Sequence, residues 1–86
     1  MINKTLIRLK NEYNDTIIST FYTEKPSEFL KLYFFCKVNN IPLSAKRIFN
    51  NNDEISEEIN GEICEIKVFF GGGEYIPYID IWIDQD

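Results

Sequence analysis

The C-terminal third of the chain alternates apolar and polar residues in two arms on either side of three consecutive glycines. In the second arm Ile79, Ile81 and Ile83 occupy every other position, and β-branched residues favour extended backbone. The first arm repeats this pattern with Cys64, Ile66, Val68 and Phe70. Glycine tolerates positive φ in the connection between the arms. The stretch 62–84 therefore predicts an antiparallel β-hairpin around which the rest of the chain folds.

The loop of this hairpin must contain an even number of residues for the two apolar sides to share one face, unless a bulge intervenes. Gly71–Gly72 or Gly71–Glu74 would meet that condition. Pro77 cannot donate a hydrogen bond to a neighbouring strand, so we expect it at a sheet edge or a bulge.

The N-terminal stretch 5–23 fits two periodicities. Ile2, Leu6, Leu9 and Tyr13 would share one side of a helix, whereas Thr5, Ile7 and Leu9 alternate as in a strand. Asn14 and Asp15 tolerate positive φ, and residues 16–23 are rich in β-branched and aromatic side chains. We therefore favour a second hairpin over the helix.

A helix is predicted from Ser27, as its N-terminal cap, to about Asn39. Apolar residues cover most of its circumference, and one face of a sheet cannot bury them all. Either residues 41–43 wrap over its outer side, which we favour, or part of the helix is an interface.

One or two short helices are expected after it: Ser44 could cap a short turn that runs to Phe49, and Asp53 caps a short helix whose end is marked by Gly61. The predicted fold is a single compact α+β domain over residues 1–86, in the order ββα(α)ββ. Its antiparallel sheet has about four strands in two hairpins, with one main helix and one or two short helices on one face. The pattern does not indicate which strands are neighbours.

Few residues suit catalysis. The chain has no histidine, the commonest general base and metal ligand. Cys36 and Cys64 are not spaced as a metal pair, and the glutamates flanking Cys64 would raise its thiol pKa. The three glycines lack the lysine of a phosphate loop. We expect a non-enzymatic protein with no catalytic residue, no metal and no cofactor.

The charges are unevenly distributed along the chain. Residues 1–50 hold eight of the nine basic residues, whereas residues 51–86 hold ten of the fourteen acidic ones. Six carboxylates fall within a short acidic stretch, at Asp53, Glu54, Glu57, Glu58, Glu62 and Glu65. A compact row of carboxylates can imitate the phosphates of a nucleic acid, although such runs are more often solvated surface.

The outward side of the C-terminal hairpin combines aromatic and acidic residues. Together with Glu65 it presents Phe69, Tyr78, Asp80, Trp82 and Asp84. If no helix covers that side, its composition is typical of a protein-binding site.

These observations favour a small acidic inhibitor that docks on the basic groove of a nucleic-acid-handling enzyme. Such a protein would function in the way of an inhibitor encoded by a phage or mobile element, for example an anti-CRISPR or anti-restriction protein. With no apolar run near the ~20 residues of a membrane span, we expect a cytoplasmic protein.

Two other classes remain open. One is an immunity or antitoxin-like partner, or a subunit of a homo-oligomer such as a homodimer, that uses the helix 27–39 as its interface. The less favoured one is direct nucleic-acid binding by Lys4, Arg8, Lys10, Lys46 and Arg47.

Overall fold

A computed structural model of the chain describes residues 4–44 and 60–85. The elements in these ranges are β1 (Thr5–Asn11), β2 (Ile17–Thr23), α1 (Pro26–Val38), β3 (Leu43–Ser44), β4 (Asn60–Phe69) and β5 (Tyr78–Asp84). The predicted short turn and the short helix after it fall mostly outside the described residues. Ser44 and Gly61, which mark the predicted ends, lie in β3 and β4.

The sheet is mixed, so the prediction of an antiparallel sheet is wrong in this respect. Its strands lie in the order β2-β1-β5-β4-β3, and because β3 has only two residues, four long strands make up most of it. Both predicted hairpins are confirmed, since β1 with β2 and β4 with β5 are antiparallel. The central pair, β1 and β5, is parallel.

The parallel pair follows from the path of the helix. α1 begins three residues after the end of β2, and the segment after α1 reaches the opposite end of the sheet, where Leu43 pairs with Gly61 at the start of β4. A helix of thirteen residues is about 20 Å long, enough to carry the chain along the sheet. The second hairpin therefore starts at the same end as β2, and β5 runs in the direction of β1.

The core lies between α1 and one face of the sheet. It is formed by alternate residues of β1 and β5 with one residue each of β3 and β4 and two of the helix, namely Ile7, Leu9, Ile79, Ile81, Ile83, Leu43, Ile63, Tyr33 and Cys36. The predicted buried side of the second arm is thus confirmed. Side chains alternate across a strand, so the intervening residues of β1 and β5 lie on the other face.

The first arm of the C-terminal hairpin differs from its prediction. The pairing of β4 with β5 shifts between Ile63 and Glu65, which makes Cys64 the extra residue of a bulge. Ile63 is therefore buried where Cys64 was predicted to be, and Cys64 itself is half-buried. Phe70 was also predicted on the buried side, but it lies outside the strand with 86% of its surface exposed. A bulge of this kind moves every preceding residue to the opposite face.

The connection between β4 and β5 spans residues 70–77 and is longer than either predicted loop. It contains an even number of residues, as the parity argument required. Within it, a tight turn joins Gly72 and Tyr75 through two backbone hydrogen bonds of 3.0 and 3.3 Å. Gly71 and Gly73 have φ of 80° and 60°, in the region where only glycine is unstrained.

The helix starts two residues earlier than predicted. Lys25 is its N-cap without a side-chain hydrogen bond, and Pro26 is at the first helical position, so Ser27 is not the cap. Proline suits that position because its missing N–H is not needed there. Leu43 is buried and Ile41 half-buried, yet Phe34, Phe35 and Val38 remain 46%, 58% and 75% exposed.

Candidate binding surface on the open face of the sheet

The face of the sheet opposite α1, called here the open face, is not covered by any element of the described ranges. Alternate residues of the four long strands lie on it, and in sequence order they are Leu6, Arg8, Lys10, Ile17, Thr20, Tyr22, Glu62, Glu65, Lys67, Phe69, Tyr78, Asp80, Trp82 and Asp84. Tyr22 is 54% and Phe69 39% exposed, and Tyr78 and Trp82 are half-buried.

An ion cluster lies at the centre of the open face. Arg8 and Asp80 are direct neighbours on the parallel strands, and the Arg8 guanidinium donates two hydrogen bonds to the carboxylate at 2.6 and 2.7 Å. Lys10 Nζ lies 3.3 Å from the same carboxylate. The hydrogen bond to Asp80 raises the pKa of Arg8 above its ordinary value. Asp80 is only 5% exposed, so its charge is matched within the sheet.

Aromatic rings flank this cluster and are in contact with its cations. The Arg8 guanidinium lies 4.5 Å from the centre of the Tyr78 ring, and Tyr78 stacks on Phe69 with ring centres 4.9 Å apart. Lys10 and Lys67 place their ammonium groups 5.0 and 5.4 Å from the centre of the Trp82 ring. Such contacts hold long side chains in defined positions. The cations of the open face therefore have aromatic neighbours within the chain itself.

Carboxylates gather at one end of the sheet, called here the acidic end and formed by Glu12, Asp15, Glu62 and Asp84. β1 and β5 finish there and β4 starts there, because Asn11 pairs with Ile83 and Glu62 with Asp84. Asp15 accepts a hydrogen bond of 2.7 Å from Trp82 Nε1, and Asp84 accepts one of 2.9 Å from the Tyr13 hydroxyl. These bonds join the acidic end to the aromatic part of the open face.

Cys64 lies beside this end and donates a hydrogen bond of 2.9 Å from Sγ to Glu12. Burial, followed by that carboxylate, raises the pKa of the thiol to about 11. The direction agrees with the sequence prediction, but the carboxylate is Glu12 of the first hairpin and not one of the flanking glutamates. The thiolate, which is the nucleophilic form, is therefore scarce at neutral pH.

The predicted site residues divide into two groups. Asp53, Glu54, Glu57 and Glu58 lie outside the described residues. Of the rest, Glu62 is exposed at the acidic end, and the fold brings the others together on the open face, at Glu65, Phe69, Tyr78, Asp80, Trp82 and Asp84. Asp80 is buried against two cations, so it does not present a free carboxylate to a partner.

Sequence reasoning missed the contribution of the first hairpin to this surface. Arg8 and Lys10 were considered as site residues only for nucleic-acid contacts, and Tyr22, Glu12 and Asp15 were not considered as site residues at all. The alternation of β1 does place Leu6, Arg8 and Lys10 on one side. Nothing in the sequence indicates that this side continues that of β5.

Within the described ranges no group of three or more cysteine, aspartate and glutamate side chains is arranged to hold a metal ion. The one helix found there is too short to cross a bilayer. Comparisons of the chain with protein-family models, with curated proteins and with solved structures gave no match.

Proposed function

We propose that this protein is a non-enzymatic binding domain that docks the open face of its sheet, together with the acidic end, on a basic surface of another protein. The observation that carries the proposal is the group of aromatic rings around the Arg8–Asp80 ion pair, in which Tyr22 and Phe69 are exposed and Tyr78 and Trp82 are half-buried. Tyrosine, tryptophan and arginine dominate the energetic centres of protein interfaces.

The contacts that side chains of the open face make with one another support binding rather than catalysis. The cations of this face lie over rings or against Asp80, and such side chains lose little rotamer freedom when a partner arrives. Immobilising a free side chain at an interface costs about 0.5–1.5 kcal/mol. A surface whose side chains already have neighbours avoids much of that cost.

The carboxylates of the acidic end favour a partner whose binding surface is positively charged. Four carboxylates lie at the rim of the open face, and they outnumber the one positive charge that remains when Arg8 and Lys10 share the single carboxylate of Asp80. A partner with basic side chains opposite this rim would be attracted and oriented by it. The groove of a nucleic-acid-handling enzyme has this chemistry, and an inhibitor that fills such a groove is the specific form of the proposal.

The experiment is capture from cell lysate on immobilised protein, with three variants compared with the wild type. Phe69→Ala removes a ring of the open face, and Phe35→Ala is the matched control on the outer side of α1, where the side chain is 58% exposed. The double variant E62Q/E65Q removes two exposed charges. Each captured protein is then purified and its affinity measured at increasing salt concentration.

We expect a protein that binds the wild type and Phe35→Ala equally and binds Phe69→Ala about tenfold or more weakly. Its affinity should fall with salt, and less steeply for E62Q/E65Q. Equal binding by Phe69→Ala would remove the open face from the interface. Loss of binding by Phe35→Ala alone would instead favour the helix as the interface.

A further inference from the structure

β2 is an outermost strand of the sheet, and the regular part of its edge, after the bulge at Ile18 near its start, carries neither a charge nor a proline. Its residues are Ile17-Ile18-Ser19-Thr20-Phe21-Tyr22-Thr23, without a charge or a proline. Natural sheets usually place lysine, other charges or proline on exposed edges to prevent pairing with another chain. Near the opposite edge of the same sheet, β4 carries the charged residues Glu62, Glu65 and Lys67. The first residues of β4 pair with the short strand β3.

The backbone groups that β2 presents outward can be identified from its neighbours. Leu6 N–H donates to Pro77 O at 3.0 Å, so the backbone groups of Leu6 point toward β5. Those of Ile7 therefore point toward β2, since directions alternate along a strand. Ile7 pairs with Phe21, so Phe21 bonds to β1, whereas the N–H and C=O groups of Thr20 and Tyr22 point away from the sheet.

We propose that β2 pairs in antiparallel fashion with β2 of a second copy of this chain, across a two-fold axis at Phe21. In this register Thr20 lies opposite Tyr22 of the second copy, and each such pair exchanges two backbone hydrogen bonds. Both outward-pointing residues of the regular part of β2 are then satisfied. The line along which the two β2 strands pair, called here the seam, joins the sheets of the two copies into one continuous sheet.

A second copy fits this edge because the strand is self-complementary. It has no charge to repel its own copy, and the threonine and aromatic residues that would face each other form favourable cross-strand pairs. Antiparallel pairing also places the two β1–β2 turns, with Glu12 and Asp15, at opposite ends of the seam. The two acidic ends are thereby kept apart.

The assembly should close at two copies. A two-fold axis perpendicular to the sheet uses β2 of both chains, and the edges left over are formed by β3 and by the charged part of β4 beyond it. The same axis leaves the open faces of both copies on one side of the continuous sheet. This inference does not depend on the proposed function, since it concerns the edge and not the face.

The test is sedimentation equilibrium of the full chain over a range of concentrations, for the wild type and three variants at an exposed position of the edge. Thr20→Pro removes an N–H that is not bonded to β1, so an edge strand tolerates it. Thr20→Glu adds a charge to the edge, and Thr20→Val is the matched control that keeps the backbone donor. Amide hydrogen exchange at Thr20, Phe21 and Tyr22 is measured in parallel.

We expect a wild-type dimer, an unchanged Thr20→Val dimer, and self-association weakened about tenfold or more in both Thr20→Pro and Thr20→Glu. The amides of Thr20 and Tyr22 should gain protection on dimerisation, whereas that of Phe21 is protected throughout. A wild type that stays monomeric up to roughly 1 mM overturns the proposal. So does a dimer that both variants leave intact, or edge protection that requires another protein's strand.

Discussion

Arg8 and Asp80, 72 positions apart in the chain, face each other across the parallel strands β1 and β5 and share two hydrogen bonds of 2.6 and 2.7 Å. The pair joins the two hairpins on the side of the sheet that α1 does not cover. Lys10 completes the cluster at 3.3 Å. Its geometry decides both the stability of the central strand pair and the charge that the open face presents.

Removal of Asp80 should strongly destabilise the protein. Asp80→Ala leaves Arg8 and Lys10 close together without their carboxylate, and breaking a buried pair in this way costs about 3 kcal/mol or more. The free energy of unfolding is measured by urea denaturation. Glu65→Ala is the matched control, because Glu65 is exposed and its ion pair with Lys67 is 3.7 Å long. We expect that variant to lose less than about 1 kcal/mol, and equal losses in the two variants would contradict the role of the cluster.

Tyr33→Phe should stabilise the protein. The Tyr33 side chain is fully buried in the core, and its hydroxyl has no hydrogen-bond partner among the described residues. A buried hydroxyl without a partner costs roughly 1–3 kcal/mol, so its removal should raise the free energy of unfolding by about 1 kcal/mol. Tyr22→Phe, at an exposed position, should change it by less than about 0.5 kcal/mol. A destabilised Tyr33→Phe variant would mean that the hydroxyl makes a bond in solution.

The same residue should make stability fall at alkaline pH. Burial raises the pKa of Tyr33 far above its ordinary value. The unfolded chain therefore loses this proton near pH ~10 while the folded chain keeps it. The contribution of Tyr33 is fully present below that pH and is lost as pH rises above it. Denaturation at several pH values should show the difference between wild type and Tyr33→Phe widening above pH ~10, and a constant difference would contradict this assignment.

Gly61→Ala should destabilise the start of β4. A Cβ at this position would overlap the Ile83 side chain and lie 2.5 Å from the Asp84 carbonyl oxygen. Forcing a methyl group into such a contact typically costs about 1–3 kcal/mol. Gly72→Ala is the control, since a Cβ there meets no atom within 4 Å. Thermal unfolding should give a lower Tm for Gly61→Ala alone, and equal Tm values for the two variants would show that β5 can move aside.

Glu12→Gln should make the Cys64 thiol more reactive. Burial is the larger cause of its raised pKa of about 11, and the Glu12 carboxylate is the second. Removal of that charge should lower the pKa and raise the rate of alkylation by iodoacetamide at pH ~8 several-fold. The rates are measured against pH with Cys36→Ala in all chains, so that only Cys64 reacts. Glu28→Gln on α1 serves as the control, and an unchanged rate in Glu12→Gln would exclude this contact.

The local structure of the chain could largely be predicted from its sequence. The alternation of Ile79, Ile81 and Ile83 determined a strand with one buried side, and the same pattern in β1 favoured a hairpin over a helix. The apolar helix was expected nearly at its observed bounds. Such features depend on neighbours within a few positions, where propensity and periodicity operate.

Only the tertiary structure decided which strands are neighbours, and with them the site. The meeting of Arg8 with Asp80 and the acidic end shared by Glu12 and Asp84 both depend on β5 lying beside β1. A hydrophobic pattern records that a side chain is buried but not what lies next to it. The free energy that selects one strand order comes from contacts between distant segments, and these exist only in the folded chain.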